Sequence, residues 1–134
     1  MHPALSCAVE RRIVRDAPAA CALFAALADS PLERCGFAYL DPEWRLLGQR
    51  ETPFGHASGV AVPLRAVIGD VLALGAAAVV MAHNHPGRDT RPSEADLAVT
   101  RRLIGALDAL DVRLVDHLVV AGARWSSMRR MGLL

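Results

Sequence analysis

Lysine is missing altogether: all fifteen basic residues of this 134-residue chain are arginines. Chemistry that needs a lysine Schiff base or a P-loop lysine is therefore excluded. Cysteine is scarce. Cys7, Cys21 and Cys35 form an odd set with no C-x-x-C spacing, which sets aside a disulfide framework or a cysteine zinc site and suits a reducing, cytoplasmic setting. No apolar run is long enough to span a bilayer, so no membrane partner is expected. The stretch "RRIVRDAPAACALFAALAD" has a twin arginine ahead of an apolar segment, but Arg15, Asp16 and Pro18 interrupt the join; it reads as an amphipathic helix opening the domain, not an export signal. A marked excess of one charge sign is also lacking. A formal net charge of +1 argues against a large nucleic-acid footprint, although not against a local basic groove. There is no G-x-S-x-G, and no histidine pattern accompanies the cysteines, so serine or cysteine hydrolase chemistry has little support.

What is present suits one globular domain with a real core: hydrophobic residues are 53% and charged residues 22%. We read residues 1–16 as an extended arm and 17–29 as an alanine-rich helix. "CGFAYLD" is a strand, "DPEW" its turn and "RLLGQRE" its hairpin partner. "TPFGHASG", with His56, is a loop. Pro63 and Gly75 bound a helix from Leu64 to Leu74. The continuous apolar run Ala76–Ala82 is a central strand covered on both faces. Ser93 starts a long helix whose apolar face carries Leu97, Thr100, Leu103, Ile104, Leu107 and Leu110. "VRLVDHLVVAG" is a further strand and "RWSSMRRMG" a short closing strand or turn. Strands and helices alternate around a mixed sheet, which predicts an α/β sandwich. Trp44 and Trp125 read as partly buried packing residues. Arg101-Arg102 and Arg129-Arg130 read as solvated faces, with an acidic partner as the alternative, and His2 as a terminal residue.

The stretch "MAHNHPGRDTRPSEAD" follows the apolar strand directly and holds most of the potential ligand chemistry. His83 and His85 sit two apart, so in an extended chain both leave one face. Two imidazoles on one edge can converge on a metal ion. Imidazole suits zinc, although ligand types alone do not separate zinc from other divalent ions. A catalytic zinc takes three protein ligands and leaves a fourth position open. Asp96 falls in the first turn of the next helix, and Pro86, Gly87 and Pro92 can fold the intervening loop back so that it faces the strand end. Ser93 and Asp96 equally match the S-x-x-D capping pattern, which opens helices without catalytic meaning. Ser93 can satisfy both readings if its backbone starts the helix while its hydroxyl points into the cleft.

His83, His85, Ser93 and Asp96 reproduce the order H-x-H, seven residues, S-x-x-D. This resembles the motif of JAMM (MPN+, JAB) zinc metalloproteases. Within that superfamily, "AHNHPGRDTRPSEADLAVTRRL" and "LVDHLVV" are similar to the bacterial RadC proteins, from about Leu32 to the end of the chain. RadC chains usually read Ser-Gly after the HNHP, where Gly87-Arg88 stands here; the loop is altered but no ligand is. The usual N-terminal helical region of RadC, helix-hairpin-helix in character, has no room, so DNA binding is expected to be weak or absent.

The resemblance implies a JAB/MPN-like fold, a mixed sheet sandwiched by helices in a cytidine-deaminase-like three-layer architecture. It implies one domain over 1–134, with arm and helix over 1–30 and a metal-site core over 31–134. It implies one zinc per chain on His83, His85 and Asp96, with Glu33 as general base and Ser93 as oxyanion donor. Glu33 is chosen because "ERCGFAYLD" resembles the Glu-led first strand of RadC-like domains; Glu43 and Glu51 are its rivals. His117 is expected to support a ligand or the packing, and not to ligate. The implied reaction is zinc-dependent hydrolysis of a peptide or isopeptide bond, on a protein or peptide substrate such as a ubiquitin-like modifier or an extended C-terminal tail. The alternatives are a metal-dependent nuclease or DNA-repair protein, and a non-catalytic interaction domain.

Overall fold

Gly75 closes one helix and releases the chain into the centre of a sheet. Helix α3 (Leu64–Leu74) has the bounds that Pro63 and Gly75 predict. Gly75 takes a left-handed φ of 64°, and the Ala76 N–H returns to the Val71 carbonyl, so the chain just beyond the helix is used in its cap. The central strand, β4 (Ala78–Asn84), therefore begins two residues later than the apolar run. It also runs on through His83 and Asn84, whose polar side chains mask the strand in the sequence.

The computed structural model describes residues 5–8, 12–52, 62–87 and 89–134. His2, Arg88 and the "TPFGHASG" loop beyond Thr52, with His56, lie outside them; Thr52 itself closes β3. Among the described residues, six strands form one sheet, completed by β1 (Leu5–Cys7), β2 (Cys35–Leu40), β3 (Leu46–Thr52), β5 (Arg113–Ala121) and β6 (Arg124–Ser127). Their order is β1-β3-β2-β4-β5-β6. β4 and β5 are parallel and joined through α4 (Glu94–Asp108); the other pairs are antiparallel. The sheet is mixed, as predicted. The first residues are more than a free arm: Leu5–Cys7 pair with β3, and Ile13 bridges Arg45.

Alternation along the strands sorts the core into two layers. Phe37, Tyr39, Val79 and Met81 pack under Val67, Val71, Leu103 and Leu107 of α3 and α4. Ala38, Leu40, Val80 and Ala82 face Ala20, Phe24 and Leu27 on the other side. A register shift at Val79/Val80 inserts one extra residue into β5, so Leu114 and His117, three apart, both face α4. Without that bulge His117 would point into the opposite layer.

The predicted helix over 17–29 is two short ones, α1 (Ala17–Leu23) and α2 (Ala25–Ala28), hinged at Phe24. The break accompanies a fully buried Phe24 ring packed over Gly36. A Cβ on Gly36 would lie 2.9 Å from two ring carbons, so only glycine admits the ring there without a shift. Trp44 and Trp125 are half-buried, and Arg101, Arg102, Arg129 and Arg130 are exposed. The Arg130 guanidinium lies 5.1 Å from the Trp125 ring centre.

Candidate metal centre

The end of β4, the start of α4 and the approach to β2 meet at one point. β2 runs antiparallel to β4 with Cys35 opposite His83, so the residues just before β2 are carried past the end of β4. That places Glu33 beside His83 and His85 despite a separation of about fifty residues. The loop after His85 returns Asp96, third residue of α4, to the same point. Glu33, His83, His85 and Asp96 each offer a ligand atom, and these atoms all lie within 4.8 Å of one another.

The distances divide the four. His83 Nε2 and His85 Nε2 are 2.8 Å apart, and each is 3.1 Å from an oxygen of Asp96. Glu33 Oε1 is 4.0 Å from His85 Nε2. Bonds of about 2.1 Å to a tetrahedral zinc put neighbouring ligand atoms about 3.4 Å apart. The two imidazoles and Asp96 form a triangle close to that size, and Glu33 stands further out. His83 and Asp96 are buried, whereas the His85 and Glu33 side chains are 18% and 27% exposed, so the triangle opens to solvent on the Glu33 side.

The donor set fits a cation. His85 Nδ1 lies 2.6 Å from the Asp89 carbonyl oxygen. A carbonyl only accepts, so Nδ1 carries a proton and Nε2 is the ring nitrogen left to face the triangle. Electrostatics agree. Burial alone would raise the Asp96 carboxyl, but its hydrogen bonds with His83 and His85 outweigh that and hold it far below the usual carboxylate range. The same hydrogen bond to Asp96 raises His85, against the opposing effect of burial. A buried carboxylate and two imidazole nitrogens turned on one point attract a positive charge. Zinc and similar divalent ions suit that chemistry.

Residues outside the triangle hold it in place, and most were not singled out in the sequence. Asn84 uses its whole amide on the segment that carries Glu33: its Oδ1 accepts from the Arg34 N–H at 2.5 Å, and its Nδ2 donates to Leu32 and Ser30 carbonyls at 2.9 and 3.2 Å. Ser126 Oγ donates to the Thr90 carbonyl at 2.5 Å, anchoring the loop that brings Asp89 to His85. His117, fully buried, meets His83 Nδ1 at 2.6 Å, and burial pushes its pKa well below the ordinary histidine value.

Ser93 caps α4. Its Oγ accepts from the Asp96 N–H at 3.0 Å, and Asp96 Oδ2 accepts from the Ser93 N–H at 2.8 Å, a complete capping box. The hydroxyl oxygen is thus engaged at the helix start, while its proton stays available to donate. Glu43 and Glu51 are not in the cluster. Glu43 lies in the turn beyond Leu40, at the far end of the sheet, and Glu51 on β3 pairs with Gly36.

A family model described as RadC-like JAB domain matches residues 14–133. That span takes in α1 and α2, upstream of the point at which the motif resemblance begins. The chain is 42% identical over 109 residues to a UPF0758 protein of Bordetella avium, covering 81% of this chain and 48% of the relative. It is 44% identical over 112 residues to one of Halorhodospira halophila, covering 84% and 50%. It is 42% identical over 96 residues to UPF0758 protein YfjY of Escherichia coli K12, covering 72% and 60%. The chain spans about half the length of the first two, and none of the three names specifies a reaction. Among the described residues no helix is long and apolar enough to cross a membrane.

Proposed function

The chain belongs to the RadC-like JAB domain family, and from that premise we propose that it is a zinc-dependent hydrolase of peptide or isopeptide bonds. The observation that carries the reading is the triangle of His83, His85 and Asp96 with Glu33 standing just outside it. His83, His85 and Asp96 would hold the zinc ion, which would supply a Lewis acid and lower the pKa of water at the site to about 7. Glu33 Oε takes the proton of the attacking water and delivers it to the leaving amine. The Ser93 hydroxyl donates to the oxygen on which negative charge develops. The opening on the Glu33 side admits an extended peptide, such as a C-terminal tail or the tail of a ubiquitin-like modifier, in a reducing, cytoplasmic setting.

Elemental analysis of the purified protein tests the metal. One zinc per chain is expected, and His85→Ala, which leaves two protein ligands, is expected to lose it. Full zinc occupancy in His85→Ala overturns the ligand set, and a different metal in the unaltered protein overturns zinc.

Two-metal phosphodiester chemistry generally bridges its ions with carboxylates. Here Asp96 is the one carboxylate in the triangle, which favours a single ion and peptide hydrolysis over a nuclease. With a net charge of +1, we expect DNA binding that is weak, salt-sensitive and indifferent to sequence. A titration at physiological salt giving nanomolar, sequence-selective affinity would move the reading to a nuclease or repair protein.

A further inference from the structure

We infer that the Thr100 hydroxyl dictates, through His117, which ring nitrogen of His83 is free to bind a cation. The inference rests on the proposed metal reading for its purpose, but its geometry stands without it. Thr100 Oγ1 lies 2.7 Å from the Asp96 carbonyl oxygen and 2.6 Å from His117 Nδ1. A carbonyl has no proton to give, so two oxygens at that distance need the hydroxyl proton between them. Thr100 has one proton, and the Asp96 carbonyl takes it. His117 Nδ1 must then supply its own proton to Thr100 Oγ1.

The next step follows from burial. The His117 ring is 1% exposed, with a hydroxyl and an imidazole as its ring hydrogen-bond partners. A ring so placed, with no carboxylate bonded to it, is neutral. A neutral imidazole protonated at Nδ1 is bare at Nε2. His83 Nδ1, 2.6 Å from that bare nitrogen, therefore donates and is closed to a cation, which leaves Nε2, 3.1 Å from Asp96 Oδ1, as the nitrogen that faces the triangle and on which a cation can take the place of a proton. His85 reaches the same state through the Asp89 carbonyl. Two unlike devices thus turn both Nε2 atoms, 2.8 Å apart, on one point where a single cation can be held by both.

α4 supplies both ends of this relay. Asp96 gives its carboxylate to the triangle and its carbonyl to Thr100, one helical turn on and on the same face. Thr100 sits in the apolar stripe of α4, where a valine would pack as well; the hydroxyl is the only part of the side chain that the relay needs. Thr100 is a positioning residue and touches none of the metal-facing atoms.

Thr100→Val removes the hydroxyl and keeps the shape. His117 Nδ1–H then loses its acceptor, and the ring relieves the buried orphan donor by moving its proton to Nε2. That proton faces His83 Nδ1, which must become the acceptor and carry its own proton on Nε2, against the metal. Thr100→Val is expected to bind zinc about 10–100-fold more weakly, while Thr100→Ser, which keeps the hydroxyl, binds as the unaltered protein does. Nitrogen-15 NMR of the imidazoles in metal-free protein at alkaline pH reads the tautomers directly. His83 and His117 are expected to be protonated at Nδ1 in the unaltered protein, and His83 at Nε2 in Thr100→Val.

Metal-free His83 with no proton on Nδ1 in the unaltered protein overturns the relay, whether or not the variant folds. So does unchanged zinc affinity in a folded Thr100→Val. If the unaltered protein shows the expected tautomers yet takes up no zinc, the metal reading fails and the relay stands.

Discussion

Arg50→Met is expected to cost about 3–5 kcal/mol of folding stability, because it strands a buried carboxylate. Arg50 on β3 grips Asp70 on α3 with two donors, Nε to Oδ2 at 2.6 Å and Nη2 to Oδ1 at 2.9 Å. The Tyr39 hydroxyl on β2 donates to the same Oδ2 at 2.6 Å. Side-chain exposures are 13% for Arg50 and 6% for Asp70, so solvent does little to screen the pair. Burial first, and then the Asp70 contact, push the Tyr39 phenol well above its ordinary range, which keeps it a donor. Methionine retains much of the arginine's stem but leaves Asp70 with one strong side-chain donor. Removing both charges in Arg50→Met/Asp70→Leu is expected to recover much of the loss, since it is the unpaired ion that is costly and not the absence of the pair. Urea unfolding of the three variants decides it. A loss below about 1 kcal/mol in Arg50→Met would show that Asp70 finds water or another donor.

This network was invisible in the sequence, while the helix that carries Asp70 was not. The difference lies in the range of the signals. Pro63, Gly75 and Ser93 act on the backbone beside them, so the ends of α3 and the start of α4 could be read locally. Strand ends have no such markers, and β4 hid its last two residues because His83 and Asn84 look polar although both are buried. Arg50, Asp70 and Tyr39 lie on three elements and meet only once α3 is laid on the sheet. The candidate site divides in the same way. His83, His85 and Asp96 lie close in sequence, and their spacing already suggested convergence. Thr100 was legible as part of an apolar stripe but not as a hydroxyl with a task, because its partner His117 arrives through the pairing of β5 with β4. Asn84 passed as the middle of a tripeptide. Its role depends on the chain at 30–34, fifty or more residues away. Glu33 was selected by resemblance, and it is the β2–β4 register, with Cys35 opposite His83, that carries it to the cluster.

Glu33→Gln is expected to keep the fold and the zinc and to lower turnover by about 10²–10⁴-fold, the usual contribution of a positioned general base. The reasoning is one of distance and attachment. At 4.0 Å from His85 Nε2, the Glu33 carboxylate lies outside the ligand triangle, near enough to reach a water in the open position but further away than the three residues that would hold the ion. Glutamine has nearly the same shape and cannot accept the proton, so it separates proton transfer from packing. Asn84 makes the comparison clean. Its hydrogen bonds hold the backbone on both sides of residue 33, at the Leu32 carbonyl and the Arg34 N–H, so the position of the substituted side chain is set by contacts that the substitution leaves intact. Stoichiometric zinc in Glu33→Gln, with turnover of a peptide or isopeptide substrate lost, is the expected pair of results. Glu43→Gln and Glu51→Gln, both outside the cluster, should retain full activity. If Glu33→Gln loses its zinc instead, Glu33 is a fourth ligand and the open position is closed. If it keeps both zinc and turnover while one of the other two variants is inactive, the base lies elsewhere and the approach to β2 has no part in the chemistry.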